Sequence, residues 1–208
     1  MSNGAQTPAG EFRSALMDFI RREAQPVDKY GHQPRLYALT RQIGTGMFYD
    51  DDVVFAAAWL HDLGVFVGHR PEDPEQLARW DHVAYAIGQA PAILKKLGFT
   101  PAKIPAVLNA IREHLPSAEP GSLEATILRD ADILEQLGAI GILRAAAKVG
   151  RDTRFPTFTA VTAALEKALN TLPSQIRLHP ARTLAEPRIR ALREFLASLQ
   201  HDSLGELH

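Results

Sequence analysis

The chain contains no cysteine, which excludes disulfides and any thiolate-ligated metal site. It has no surplus of either charge: 23 Lys and Arg stand against 24 Asp and Glu, for a net charge of -1. A nucleic-acid stripe or a basic membrane-binding face is therefore not expected. No apolar run approaches the roughly 18 residues that span a bilayer. No stretch alternates with the period of two that marks a half-buried strand. The opening residues, MSNGAQTPAG, lack a basic start and an apolar core, so residues 1–10 read as a flexible tail and not as a signal peptide. A cytoplasmic location is the expectation.

What is present is helical period. In EFRSALMDFI, residues Phe12, Ala15, Leu16, Phe19 and Ile20 share one face. Residues 33–43 and 51–62 form the next two candidates, the second stopped by Gly64. A helix from about Pro74 to Leu97 contains Pro91, which should kink or split it. Thr100 as N-cap and Pro101 at the first helical position open another, with Ile104, Val107, Leu108, Ile111 and Leu115 on one face. Ser122 can cap the helix through SLEATILRDADILEQLG. Further helices follow over AIGILRAAAKVG, 157–171 and 184–201. With 208 residues, 46% of them hydrophobic, there is enough chain for one domain with a proper core. The expectation is all-α, about eight or nine helices in a single domain over residues 11–202. The stretch VGRDTRFPTF could set off a C-terminal helical pair from about residue 155.

Polar residues interrupt this apolar pattern at specific points. His61 and Asp62 end the greasy run AAAWLHDLG. His82 lies in WDHVAYAIGQA, and His114 closes LNAIREHL. Asp130 and Asp132 sit inside ILRDADILEQLG. A buried carboxylate is costly unless it is paired or bound to a metal. Neutral imidazole and carboxylate together suit Zn, Mn, Fe, Co or Ni. The dipeptide alone is weak evidence, since it recurs at His201 and Asp202 in a polar tail where no function is expected. Context separates the two copies: an apolar helix precedes the first, and Leu63 and Gly64 follow it.

Taken in order, these residues resemble the HD-domain superfamily of metal-dependent phosphohydrolases: a His, a His-Asp pair, then a distant Asp. His32 in GHQPRLYAL is similar to the family's first His, followed three residues later by Arg35. LRDADILEQLGAIGILR and ARTLAEPRIRALREFLASL resemble the closing segments of small stand-alone bacterial members. The likeness covers roughly residues 27–200. Two departures stand out. Ile133 and Glu135 occupy positions where an Arg-Leu-Asp run is expected, and no second His precedes His32.

The resemblance implies an HD helical bundle with a divalent ion, Mn, Mg, Co, Ni, Fe or Zn, held by His32, His61, Asp62 and Asp132. It selects Asp132 over Asp130; the two lie about 200° apart around a helix and cannot face one ion. Asp130 is the alternative, or a carboxylate that orients a neighbouring Arg or ring N–H. Asp62 would serve as both ligand and proton acceptor. His82 and His114 would bind a second ion or donate to phosphate. Arg35, Arg79, Lys95, Lys96 and above all Arg144 are candidate phosphate contacts. His69 and Arg70 read as a solvent loop. The implied function is hydrolysis of a small phosphate ester or anhydride, most plausibly a nucleotide. A non-catalytic metal- or nucleotide-binding regulatory module is the alternative, and a di-iron oxygenase a more distant one. A small phosphorylated substrate is the expected partner, without nucleic acid or membrane, and homodimers are compatible with the fold.

Overall fold

The computed structural model describes residues 8–151 and 155–207. The expected tail at 1–10 lies outside the described residues up to residue 7, as do residues 152–154 of the stretch expected to set off the C-terminal pair. Ten α-helices occur among the described residues: α1 (Pro8–Glu23), α2 (His32–Ile43), α3 (Asp51–Leu60), α4 (Pro74–Ala78), α5 (His82–Lys96), α6 (Ile104–Arg112), α7 (Leu123–Glu135), α8 (Gly138–Ala146), α9 (Phe158–Thr171) and α10 (His179–Asp202). Among them there is no strand, only one isolated bridge between Val67 and Arg70. No helix among the described residues is long and apolar enough to cross a membrane. The all-α expectation is therefore borne out. The chain divides into two compact units, Met1–Arg129 and Asp130–His208, with the division inside α7.

In the first unit α3 is the central helix, packed against α1, α2 and α6. Every residue from Val53 to Leu60 is buried, as expected of a helix that is apolar all round. Its N-terminus is fixed by charge. Asp50 caps it, accepting from the backbone N–H of Asp52 and of Val53. Asp51 and Asp52 in the first turn complement the positive end of the helix dipole. Arg13 of α1 reaches both, at 2.9 Å from Asp51 and 2.6 Å from Asp52. Lys103 lies 2.8 Å from Asp50 and 3.2 Å from Asp52. Burial works to raise the Asp52 carboxyl, but the hydrogen bonds from Arg13 and Lys103 outweigh it and hold the group below its ordinary range. Burial likewise opposes the charge on Arg13, and its bonds to Asp52 and Asp51 reverse the sign, so its pKa is raised.

Two expectations about helix ends are corrected. The segment from Pro74 to Leu97 breaks at residues 79–81, and Pro91 lies inside α5. The break is fixed by contacts remote in sequence or specific to the cap: the Trp80 indole donates to the Gly64 carbonyl at 2.8 Å, and Asp81 accepts from the Ala84 amide. Thr100 makes no side-chain cap; residues 101–103 form a 3-10 turn before α6. Ser122 does cap α7, accepting from the Ala125 amide at 3.1 Å. In the second unit α8, α9 and α10 pack against one another. Two glycines close the α7–α8 turn. Gly138 has φ +70 and lies against Arg188 of α10, while a Cβ on Gly141 would stand 2.3 Å from the Gln136 carbonyl oxygen.

Candidate metal centre

The buried helix α3 delivers His61 as its C-cap, at the negative end of the helix dipole, where a cation is favoured. Asp62 leaves the helix at φ -98 and ψ 12, the bridge region of backbone space where active-site residues often sit. This departure shortens the helix expected over 51–62. It also brings Asp62 Oδ2 to 3.5 Å from His61 Nε2, although the two residues would diverge on a regular helix. His32, the first residue of α2, places its Nε2 at 3.2 Å from His61 Nε2 and 3.6 Å from Asp62 Oδ2.

These three atoms form a nearly equilateral triangle. A point equidistant from them lies about 2.0 Å from each, which is the ordinary distance between a transition metal and an imidazole nitrogen or carboxylate oxygen. The tautomers agree. His61 Nδ1 is 3.0 Å from the Ala58 carbonyl, which can only accept, so this nitrogen carries the proton and the neutral ring keeps its lone pair on Nε2. His114 is arranged in the same way, with Nδ1 2.6 Å from the Ile111 carbonyl. His61, Asp62 and His114 each offer a ligand atom within 4.8 Å of the others. The donor set is therefore imidazole and carboxylate, with the His61 and His114 rings fixed by backbone carbonyls, and it fits a divalent transition metal.

The remaining expected residues divide as follows. The helix expected to run through Leu115 ends at Arg112, so His114 lies in the turn that follows α6, where it is 2% exposed while Leu115 is half-buried. His82 opens α5 with its ring centroid 6.3 Å from that of His114. Gly64 makes this approach feasible, because a Cβ there would stand 2.7 Å from the His82 carbonyl oxygen and 2.8 Å from its Cα. Arg35 is half-buried, one turn after His32 on α2. Arg79, Lys95 and Lys96 are exposed. His69 is not a plain solvent residue: Nε2 is 2.9 Å from Glu23 Oε2 and Nδ1 is 3.0 Å from the Tyr85 hydroxyl, tying its loop to α1 and α5. His201 and Asp202 are exposed at the end of α10, and His208 lies outside the described residues.

In the second unit Asp130 is fully buried and its carboxylate accepts from backbone N–H groups, Leu178 at 2.7 Å and Arg177 at 3.0 and 3.2 Å. It holds the entry to α10 by main-chain bonds, a role not visible from the local sequence. Asp132 is buried, with Oδ2 accepting from Gln136 Nε2 at 3.0 Å. Arg144 Nη1 lies 3.3 Å from the Glu135 carbonyl and 3.4 Å from Glu135 Oε2. Gln136 was not singled out from sequence, although its spacing of four from Asp132 was the available signal.

None of the curated proteins compared with the chain matches it. Among solved structures, YpgQ of Bacillus subtilis is 22% identical with a TM-score of 0.73, covering 96% of this chain and 99% of YpgQ. A second structure of YpgQ, in complex with ADP, is 23% identical with a TM-score of 0.70, covering 96% of this chain and 98% of the other. An HD-superfamily hydrolase of Bacillus thuringiensis is 20% identical with a TM-score of 0.69, covering 95% and 100%. At these identities the likeness is one of fold. The HD domain family itself matches residues 30–137, more than half of the 208-residue chain. The match takes in His32, His61, Asp62, His82, His114 and Asp132, and the chain belongs to the HD-domain family.

Proposed function

We propose that this chain is a divalent-metal-dependent phosphohydrolase acting on a small phosphate ester or anhydride, with a nucleotide as the substrate class. The observation that carries the reading is the triangle of His32 Nε2, His61 Nε2 and Asp62 Oδ2, with sides of 3.2, 3.5 and 3.6 Å. His32, His61, Asp62 and Asp132 would hold the ion. Bound there, a divalent cation supplies a water of lowered pKa and polarises a phosphoryl oxygen.

The chain's own groups supply the rest. The Asp62 side chain keeps 19% of its surface exposed, so its carboxylate can take the proton of an attacking water as well as act as a ligand. His61 cannot swing, since its Nδ1 is tied to the main chain of its own helix. His114, fixed in the same way, presents Nε2 as a polar contact beside Asp62. His82 enters from α5 as a donor to phosphate. Arg35 and Arg144 are the guanidinium groups assigned to the phosphate chain, because their planar forks match its oxygens. The nucleotide class rests on the YpgQ structure that contains ADP, a protein of the same fold.

The test is phosphate release from a panel of nucleotides with Mn, Mg, Co and Ni, comparing wild type with His61→Ala and Asp62→Ala. Metal-dependent release that both substitutions abolish supports the reading. Stoichiometric metal binding without release from any nucleotide would replace it with a regulatory binding module.

A further inference from the structure

We propose that the pocket between α8, α9 and α10 is a binding site for a small apolar ligand of single-ring size, with residues 203–207 as its door. The pocket has a volume of about 180 Å³ and is lined by nine side chains, eight of them apolar. Val161 and Leu165 of α9 form its most buried wall, each 4% exposed. Ile142 of α8 and Phe195 of α10 add further walls, and Phe158, 50% exposed, marks the solvent side. The one hydroxyl in the lining, on Thr162, donates to the Phe158 carbonyl at 3.0 Å. Water takes about 30 Å³ per molecule in the liquid, so several waters would sit here with almost nothing to bond. Packed protein interiors leave few voids larger than one water. An apolar pocket of about 150 Å³ stays dry and is enough to take up benzene. Among the described residues no charged or amide side chain lines the pocket, so nothing there would hold a polar head group. This chemistry selects a bare ring or a short branched hydrocarbon unit.

The last wall comes from the chain that follows α10, and the backbone bends sharply to supply it. The Ser203 amide closes α10 by donating to the Leu199 carbonyl at 3.0 Å. Leu204 then takes φ +50 and Gly205 φ +84. The left-handed region is uncommon for a side chain as large as Leu and persists where surrounding contacts fix it. Leu204 itself gains little burial, since it is 87% exposed. What the turn achieves lies further on. The Glu206 amide donates to the Ser203 carbonyl at 2.8 Å, Leu207 comes to line the pocket, and the Thr159 hydroxyl of α9 donates to the Leu207 carbonyl. Every other lining residue belongs to a helix, so this segment is the wall that moves to admit a ligand. The pocket is built wholly from the second unit and needs no metal.

The experiment is calorimetric titration of the full chain with benzene and, separately, with benzoate, for wild type, Ala146→Leu, Leu199→Phe and Thr159→Val. Ala146 and Leu199 line the pocket from α8 and α10, so each larger side chain fills it from a different wall, and either variant carries the test if the other fails to fold. Wild type should bind one benzene per chain and melt about 3–6 °C higher at about ten times the dissociation constant. Benzoate, the same ring with a charge, should bind at least roughly 10-fold more weakly, because the pocket offers its carboxylate no partner. Each folded filling variant should lose at least roughly 10-fold in benzene affinity. Thr159→Val, which unfastens Leu207, should speed benzene exchange several-fold in NMR line shapes. No benzene binding in wild type, equal binding of benzoate, or unchanged benzene affinity in a folded filling variant overturns the site. Unchanged exchange in Thr159→Val overturns the door.

Discussion

His32 and His61, 29 residues apart in sequence, bring their Nε2 atoms to 3.2 Å of each other. In its neutral form His61 has no proton on that nitrogen to donate, because Nδ1 is committed to the Ala58 carbonyl. A neutral His32 that carries its proton on Nε2 donates it to His61 across this distance; with the proton on Nδ1, both lone pairs and the Asp62 oxygen face one point, which is the arrangement the proposed function uses.

Removal of the ion should destabilise the protein. A ligand present at about 100 times its dissociation constant stabilises the folded state by about 2.7 kcal/mol. For a chain of this size that corresponds to a melting temperature about 5–10 °C lower in a chelator, restored by adding Mn²⁺. Differential scanning calorimetry of treated and reloaded protein measures it. Identical melting in both states would contradict occupancy of the site.

Asp130 and Asp132 should respond oppositely. Asp130 accepts from two backbone N–H groups at the entry to α10, so Asp130→Asn, which exchanges an acceptor oxygen for a donor, should cost about 2–4 kcal/mol of stability. Its metal stoichiometry should stay at the wild-type value. Urea unfolding alongside metal analysis reads both quantities, and loss of metal at unchanged stability would reverse the assignment of the two carboxylates.

Gly64 should not tolerate even one carbon. A Cβ there stands 2.7 Å from the main chain of His82, which must move away with the start of α5. Gly64→Ala should cost about 1–3 kcal/mol, the usual range for overpacking. Trp80→Phe removes the single hydrogen bond to Gly64 and should cost about 1 kcal/mol. If His82 contacts substrate, both variants should raise KM at unchanged Mn²⁺ affinity, which steady-state kinetics on the nucleotide panel would detect.

The network at the head of α3 sets an acid limit. The Asp52 carboxyl is held below its ordinary value, so its contribution is complete above the unfolded pKa of about 3.9 and is lost as pH falls through the lower folded value. Asp52→Asn should therefore cost about 1–2 kcal/mol at pH 7 and at pH 5, with the gap from wild type closing below about pH 4. Urea unfolding at a series of pH values checks the sign. A gap that widened on acidification would contradict it.

What could be read in the sequence follows from where the physics is local. The apolar period of 12–20 and of 104–111 is a local property, and α1 and α6 appear where it places them. The His61–Asp62 pair stood out because polar residues ended an otherwise buried run. The break at residues 79–81 was misplaced to Pro91 because it depends on Trp80 reaching Gly64, sixteen residues away. The partner of Asp130 lies 47 and 48 residues further on, beyond any local pattern. The tie from His69 to Glu23 and Tyr85 likewise comes from three segments meeting in space. Gln136 was within local reach, at four residues from Asp132, but a polar residue near a helix end has an ordinary explanation until its hydrogen bond is seen.

The most direct test of the account is the metal content of the purified protein beside His32→Ala, His61→Ala and Asp132→Ala. The account predicts about one divalent ion per chain in wild type and its loss in all three variants. A wild-type protein that takes up no ion after loading with Mn, Co, Ni or Zn would contradict it and return these histidines to the core.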